Sequence, residues 1–381
     1  MTIVQPGSTI GIIGGGQLGR MMALSAKAMG YRIAVLDPTP DAPCAQVADH
    51  VITASYDDYE ACKELAAMSD VITYEFENID EQAAAQLLAV SDFPQGYQVL
   101  ATTQHRLKEK QALRQLHVPV APFASIQSLH DLEEAVAITN FPAVLKTCRG
   151  GYDGKGQKVV HTWDELTEAA ENLLTYGELV LEAFVPFTCE VSVIATKSRH
   201  GEIAIFPVVE NEHQDSILHR TIVPARVSEL VEKEAKQIAM QIVDGLEVVG
   251  TLAVEMFVTV ENKLVVNELA PRPHNSGHYT IEACKTSQFE QHIRAICGLP
   301  LGETTLLTPA VMENLLGEHV APLMERLNEL NSISLHLYGK KEAKWKRKMG
   351  HLTVLGEDTT RCLQTLDAFW EKKMKVLEEI E

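Results

Sequence analysis

Residues 251–274 read TLAVEMFVTVENKLVVNELAPRPH, and they hold two carboxylates inside otherwise apolar runs. Glu255 lies among Leu252, Val254, Met256 and Val258, while Glu268 lies between Val266 and Leu269. Two apolar, β-branched segments around a short polar turn predict an antiparallel hairpin. With the turn centred on Glu261 and Asn262, Glu255 falls directly opposite Glu268. Opposed carboxylates repel by roughly 3 kcal/mol at ~5 Å and an effective dielectric of ~20. A divalent cation between them is the economical reason for keeping both, and oxygen donors suit Mg2+ better than zinc. Asn267 falls on the other face by strict alternation, and reaches the same side only if the strand bulges or ends there. The alternative is a glutamate that faces solvent at a sheet edge.

Working outward, APRPHNSGHYT (residues 270–280) supplies Arg272, His274, Asn275 and His278 directly after the second strand. Arg suits a planar anion, and Asn or His suits hydrogen bonding to a small oxyanion beside a metal. By itself the stretch is an ordinary Pro/Asn/Gly loop. Upstream, KTCRGGYDGKGQKVV (residues 146–160) puts Lys146 at a strand end, followed by Gly150, Gly151, Gly154 and Gly156 around Lys155. Glycines let backbone N–H groups approach an anion and lysines add charge for phosphate oxygens, although G-x-x-x-x-G-K-[ST] is absent. The ordinary counterpart is a flexible hairpin with solvated lysines. YGKKEAKWKRKMGH (residues 338–351) gathers Lys340, Lys341, Lys344, Lys346, Arg347 and Lys348. In a chain of net charge −19, such a cluster competes as a phosphate site with the usual solvated turn.

The first hundred residues carry a different pattern. GIIGGGQLGR (residues 11–20) contains G-x-G-x-x-G at Gly14, Gly16 and Gly19, and Asp37 closes the next apolar run. This matches the dinucleotide fingerprint, in which a glycine turn aims a helix N-terminus at phosphates. Strands are predicted at 9–13, 31–36, 51–52 and 70–74, and helices at 17–29, 56–68 and 80–89. Their alternation predicts a parallel sheet with right-handed crossovers. Beyond residue 102, helices are predicted at 103–116, 228–246 and 287–297. Capping boxes at Ser128 with Asp131 and at Thr162 with Glu165 open two more. Strands are predicted at 143–147, 179–185, 190–197, 203–209, 252–260 and 263–269. A strand pair at 333–339 and 349–355 and a helix at 359–379 end the chain, giving expected domains at 1–100, 101–305 and 306–381.

The bulk numbers narrow the function. The 381 residues are 46% hydrophobic and 22% charged, and no stretch approaches the ~20 apolar residues that span a bilayer. The N-terminus lacks a basic n-region and reads as a first strand, which predicts a cytoplasmic protein. Net charge of −19 argues against nucleic acid or an anionic membrane as partner. Seven cysteines without a C-x-x-C pair predict reduced, mostly buried thiols.

Taken in order, Lys146, the glycine-rich loop, an acidic strand pair and N-E-x-x-P-R resemble the ATP-grasp superfamily. GGGQLGRM, TYEFENI, GGYDGKGQ, ENEHQDSIL, NELAPRPHNSGHYT and RKMGH are jointly similar to its PurK family, 5-(carboxyamino)imidazole ribonucleotide synthase, over the whole chain. The resemblance implies an α/β and α+β chain, with an ATP-grasp fold between an N-terminal Rossmann-like parallel-sheet domain and a small C-terminal domain. It implies a cytoplasmic, homodimeric ligase of purine biosynthesis. Such an enzyme uses ATP and bicarbonate to carboxylate the exocyclic amine of aminoimidazole ribonucleotide, with Mg2+ (Mn2+ able to substitute). On this view the N-terminal glycines serve the substrate, and Asp37 is a strand-end turn residue.

Carried onto this chain, the resemblance assigns ATP to Arg106, Lys146, Gly151, Tyr152, Asp153, Gly154, Lys155, Gly156, Gln157, Glu182, Ala183, Phe184, Val185, Glu190, His213, Asn267 and Glu268. It gives the metal to Glu255 and Glu268, and bicarbonate and carboxyphosphate to Arg272, His274 and Asn275. Asp153, Lys340 and Arg347 are implied ligands of the ribonucleotide, whose pocket Gly16, Gln17, Leu18, Glu75 and Glu77 line. Members often carry Pro–Gly before R-K-M-G-H, where this chain has Lys344, Trp345 and Lys346. Rival readings remain open here. A formate-dependent glycinamide ribonucleotide transformylase would share the nucleotide site, and a nucleotide sensor would share every motif. An NAD-dependent oxidoreductase would explain Gly14, Gly16 and Gly19 but leave the lysine loop and the glutamate pair without a purpose.

Overall fold

The N-terminal sheet is parallel, built from β1 (Thr9–Ile13), β2 (Arg32–Leu36), β3 (His50–Ile52) and β4 (Val71–Tyr74) in the order β3-β2-β1-β4. The computed structural model describes residues 3–77, 79, 81–151 and 156–378. Alternate residues of β1 and β2 pack to opposite sides. Ile10, Ile12, Ile33 and Val35 meet helices Gln17–Ala28 and Gln288–Cys297, while Ile13, Ala34 and Leu36 meet helices Tyr59–Met68 and Glu81–Val90. A sheet covered on both faces accounts for the uninterrupted apolar runs. The strand order reverses between β1 and β4, which opens a crevice beyond their C-terminal ends.

At that crevice the glycine turn departs from expectation. Its N–H groups do not point at open space: Gly16 and Gly19 donate to the Glu75 carboxylate at 2.5 and 2.8 Å, and Gly15 donates to Asp37 at 2.7 Å. Asp37 also accepts from Thr39 N–H and Tyr56 Oη, at 2.7 and 2.6 Å, so it is a saturated turn residue. Glycine is needed at 19 for a local reason. A Cβ there would lie 2.7 Å from the Gly14 carbonyl oxygen, which is closer than real contacts allow.

A second, antiparallel sheet consists of β5 (Phe123–Ile126), β6 (Ala143–Thr147), β7 (Gln157–Val160) and β8 (Leu179–Ala183), ordered β5-β8-β6-β7. Period-two alternation sends Ala143, Leu145, Leu179 and Leu181 into a core under helices Leu132–Thr139 and Trp163–Leu173. The intervening residues, Val144, Lys146, Val180 and Glu182, share the other face.

The third sheet has nine strands among the described residues. Its path is β14 (Leu264–Ala270), β13 (Gly250–Thr259), β9 (Phe187–Lys197), β11 (Val209–Gln214), β12 (Ile217–Val223), β15 (Ala310–Leu316), β17 (Lys348–Leu355) and β16 (Ile333–Leu337), with β10 (Ile203–Ile205) beside β9. Helix Glu229–Gly245 covers Val191, Val193, Val254 and Met256, leaving Glu190, Ser192 and Glu255 on the opposite face. β12 and β15 were not expected, because His219, Arg220, Glu313 and Asn314 break the apolar alternation. They pair with each other, so the strands of the final segment extend the central sheet.

The β13–β14 hairpin pairs Glu255 with Glu268, but by a different route from the one expected. Val258 pairs with Leu264, which centres the turn on Glu261 alone and shifts the register by one. The next pairs are Met256–Val266 and Glu255–Glu268, so Asn267 is the extra residue of a bulge that shifts it back. All seven cysteines are free, and Cys189 alone among them is not fully buried. No helix among the described residues is long and apolar enough to cross a membrane.

Lys346, next to the basic hairpin's Arg347, has φ 60°. This is the left-handed region, which costs a residue with a side chain roughly 1–2 kcal/mol. Its ion pair to Asp215, at 2.9 Å, is exposed and contributes little. Lys346→Gly is therefore expected to stabilise the fold by about 0.5–1 kcal/mol, net of the added freedom of the unfolded chain, in urea denaturation.

Candidate active site

A cavity of about 560 Å3 lies between the second and third sheets. Lys146 and Glu182 face it from diagonal positions on β6 and β8, and their charged atoms are 3.1 Å apart. Lys110, from helix Arg106–Gln115, approaches the same carboxylate to 3.4 Å and donates to the carbonyls of Asn267 at 2.7 Å and Val266 at 3.4 Å. Burial raises the Glu182 pKa, but Lys110 and Lys146 outweigh it and hold the carboxyl down at about 2. Burial pushes the Lys146 ammonium below its usual value, with Glu182 opposing. Nearby, burial drives the Glu109 carboxyl up to about 8, with Lys110 opposing and Glu268 adding to the rise.

The glutamate pair sits at the far side of this cavity. Glu268 meets Arg106 at 3.2 Å, and Arg106 also donates to the Gly151 carbonyl at 3.2 Å. Glu255 meets His274 Nε2 at 3.0 Å. Ser276 N–H donates to His274 Nδ1 at 3.3 Å, which leaves Nε2 to carry the proton toward Glu255. Burial opposes ionisation of Glu255, but His274 holds it down at about 2. Glu268 thus has its own cation and Glu255 a hydrogen-bond donor, which offset part of their mutual repulsion within the protein. The bulge turns Asn267 to the cavity, so carboxylate and amide oxygens share one side. An all-oxygen set of this kind fits a hard divalent cation such as Mg2+.

Beyond the hairpin, Arg272 forms a two-pronged pair with Glu77, through Nη2 at 2.9 Å and through Nε. Burial would raise the Glu77 pKa, yet Arg272 keeps it below the usual carboxylate range. Asn275 exchanges two amide hydrogen bonds with Asn314 on β15, at 2.9 and 2.8 Å. Glu190 and His213 pair at 3.2 Å on β9 and β11. Their ligand atoms and one of Glu255 lie within 4.8 Å of one another.

Three family models match successive parts of the chain: a ribonucleotide synthetase preATP-grasp domain over residues 7–104, an ATP-grasp domain over 111–289 and a phosphoribosylaminoimidazole carboxylase C-terminal domain over 310–365. The N5-carboxyaminoimidazole ribonucleotide synthase of Bacillus subtilis is 52% identical over 368 residues, covering 97% of both chains. The chain belongs to the N5-carboxyaminoimidazole ribonucleotide synthase family. A crystal structure of the ADP complex of one such synthetase superposes with TM-score 0.94 at 54% identity, covering 97% of this chain and 98% of that one. The Aspergillus clavatus synthase, in complex with ADP and 5-aminoimidazole ribonucleotide, superposes with TM-score 0.89 at 31% identity, covering 96% and 98%.

For this family member the cavity brings together Glu77, Arg106, Lys146, Gly151, Gln157, Glu182, Ala183, Phe184, Val185, Glu190, His213, Glu255, Asn267, Glu268, Arg272, His274 and Asn275. Gly156 does not line it, and its carbonyl accepts from Thr147 N–H. Tyr152, Asp153, Gly154 and Lys155 lie outside the described residues. Gly16, Gln17, Leu18, Glu75, Lys340 and Arg347 do not line the cavity; Gly16 and Glu75 meet at the N-terminal crevice, and Lys340 lies within the field of Glu75 and Arg347. There Gln46 donates to the Gly339 carbonyl at 2.8 Å and Lys341 reaches Asp41 at 3.2 Å, which docks the basic hairpin on the first domain. Burial and the charge of Arg347 push the Lys340 ammonium down to about 8.

Lys110, Glu109, Asn314 and Lys348 also reach the site without having been expected there. A signal for two of them existed. Arg106, Glu109 and Lys110 are spaced i, i+3, i+4 and so share one helix face, which a solvated charge run does not require. Removing the Glu182 carboxylate would leave Lys110 and Lys146 buried without their anion. Glu182→Gln should cost about 3 kcal/mol or more at pH 7 in chemical denaturation. Because the folded pKa is depressed, this stabilisation is present above about 4.5 and fades as pH falls toward about 2. The difference between wild type and variant should narrow over that interval.

Proposed function

We propose that this chain catalyses the carboxylation of the exocyclic amine of 5-aminoimidazole ribonucleotide at the expense of ATP, releasing ADP and phosphate. The observation that carries this reading is the convergence, in one cavity, of buried lysines, an opposed glutamate pair and the Arg272–His274–Asn275 loop. Family membership supplies the ATP-dependent ligase chemistry.

In this reading Lys146, Arg106 and the backbone of the glycine-rich segment hold the phosphates, and residues 182–185 receive the base along the edge of β8. Glu190 takes the ribose hydroxyls. Glu255, Glu268 and Asn267 would hold Mg2+, which supplies charge neutralisation for a transferring phosphoryl group when bound. Arg272 and Asn275 orient bicarbonate, so that its oxygen attacks the γ-phosphorus while the bond to ADP breaks. The resulting carboxyphosphate, or CO2 released from it in the closed site, then meets the substrate amine. A C–N bond forms, phosphate leaves and the amine gives up a proton. Lys340 and Arg347 hold the ribonucleotide phosphate across the N-terminal crevice. Arg106, Lys110 and Lys146 stabilise negative charge because burial leaves them few water dipoles to lose.

ADP formation should require ATP, Mg2+, bicarbonate and aminoimidazole ribonucleotide together. Formate with glycinamide ribonucleotide should yield none, and ADP release from that pair would overturn the assignment. Arg347→Ala removes a charge-assisted phosphate contact of roughly 1.5–3 kcal/mol. It should therefore raise KM for the ribonucleotide by roughly ten- to a hundredfold and leave KM for ATP nearly unchanged, in steady-state assays. An equal rise in both constants, or in neither, would make the hairpin a surface turn.

A further inference from the structure

A buried polar chain runs from the start of β13 to the carbonyl of Pro271, and none of its side chains lines the cavity. Thr251 N–H donates to His292 Nδ1 at 3.1 Å, and His292 Nε2 lies 2.8 Å from Thr73 Oγ1. Thr73 Oγ1 lies 2.5 Å from Gln95 Oε1, and Gln95 Nε2 donates to the Pro271 carbonyl at 3.2 Å.

Backbone groups set the direction of every bond in it. An N–H can only donate, so Thr251 makes His292 Nδ1 an acceptor and puts the ring proton on Nε2, facing Thr73. Tyr74 N–H, 3.4 Å from the same Gln95 atom as the Thr73 hydroxyl, identifies that atom as the amide oxygen. The Pro271 carbonyl can only accept, so it receives the amide NH2. Thr73, whose hydroxyl oxygen accepts from the imidazole N–H, must therefore donate its own hydroxyl hydrogen to Gln95. Thr73, Thr251 and His292 are fully buried, and burial holds the imidazole neutral, with its pKa down at about 3. Gly250, at φ 99°, makes room for the chain: a Cβ there would lie 2.9 Å from His292 Cε1 and 3.3 Å from Gln95 Cγ.

The chain ends on the residue before Arg272, which itself pairs with Glu77. Two neighbouring residues of the loop are thus tied to the N-terminal domain rather than to the sheet they leave. We propose that Thr73, Gln95 and His292 are positioning residues that make the N-terminal domain set the placement of the Arg272–His274–Asn275 loop. The proposal rests on the assignment of that loop to bicarbonate.

Three variants separate the two claims. Thr73→Val keeps the shape and deletes the hydroxyl, Thr73→Ser restores it, and Asn275→Ala probes the loop itself. Thr73→Val should raise KM for bicarbonate about fivefold or more, the scale of one lost hydrogen bond, with KM for ATP held within about twofold. Thr73→Ser should return both constants to near wild type. Amide hydrogen exchange over residues 270–276 should quicken in Thr73→Val and not in Thr73→Ser. Gln95→Met, which cuts the same link from the other side, serves if the valine variant folds poorly. Equal rises in both KM values, no change in either, or a serine variant as impaired as the valine would overturn the positioning role. If Asn275→Ala leaves KM for bicarbonate unchanged, the bicarbonate assignment fails, and the exchange measurement still judges the positioning claim.

Discussion

Lys110 is the point on which the cleft depends. It is 2% exposed, on a helix that belongs to neither sheet, and it touches both. Its ammonium bonds the carbonyls at the β14 bulge and faces Glu182 on β8, which also meets Lys146 on β6. Desolvating such charges costs several kcal/mol each, and only mutual contact and hydrogen bonding offset it. The arrangement therefore holds only if both sheets keep their spacing. Two ammonium groups around one carboxylate, beside a Glu109 whose carboxyl burial keeps protonated at neutral pH, leave positive charge in excess around Glu182.

Elsewhere, the protein's own carboxylates satisfy the cations and N–H groups that face the cavity and the crevice. Glu75 accepts the N–H groups at the start of the first helix, Glu77 grips Arg272, and Glu268 sits on Arg106. Each pairing keeps a buried cation or helix terminus from standing unsatisfied. The same logic revises the reading of the opposed glutamates. Their repulsion alone does not demand a metal, because Arg106 neutralises Glu268 and His274 donates a hydrogen bond to Glu255. The case for a cation rests on the oxygen donors that the bulge at Asn267 gathers on one side.

The hairpin shows how far local pattern reaches. Its apolar alternation placed the two strands and the facing glutamates, since a side chain's face depends on parity along the strand. The register beyond the turn was off by one residue, and only the bulge brought the pair back into register. Bulges follow from what packs against a strand, here the Lys110 ammonium on the Asn267 carbonyl. β12 and β15 were invisible for a related reason. Their polar residues are buried by neighbours such as Arg220 against Glu313 and Asn275 against Asn314, partners far away in the chain.

The sequence by itself determined the parallel first sheet, the glycine turn, the glutamate hairpin and the motif order that marks the ATP-grasp family. Each element and each motif among these depends on spacing within a dozen or so residues, where periodicity and backbone sterics act directly. Tertiary structure alone decided which charges meet. The glycine-turn N–H groups turn to Glu75, Arg272 to Glu77, Lys110 to two sheets, and the basic hairpin docks on the first domain some 290 residues away (Gln46 to Gly339). Coulombic and hydrogen-bond partners are chosen by proximity and burial, and neither is written in the local pattern of the chain.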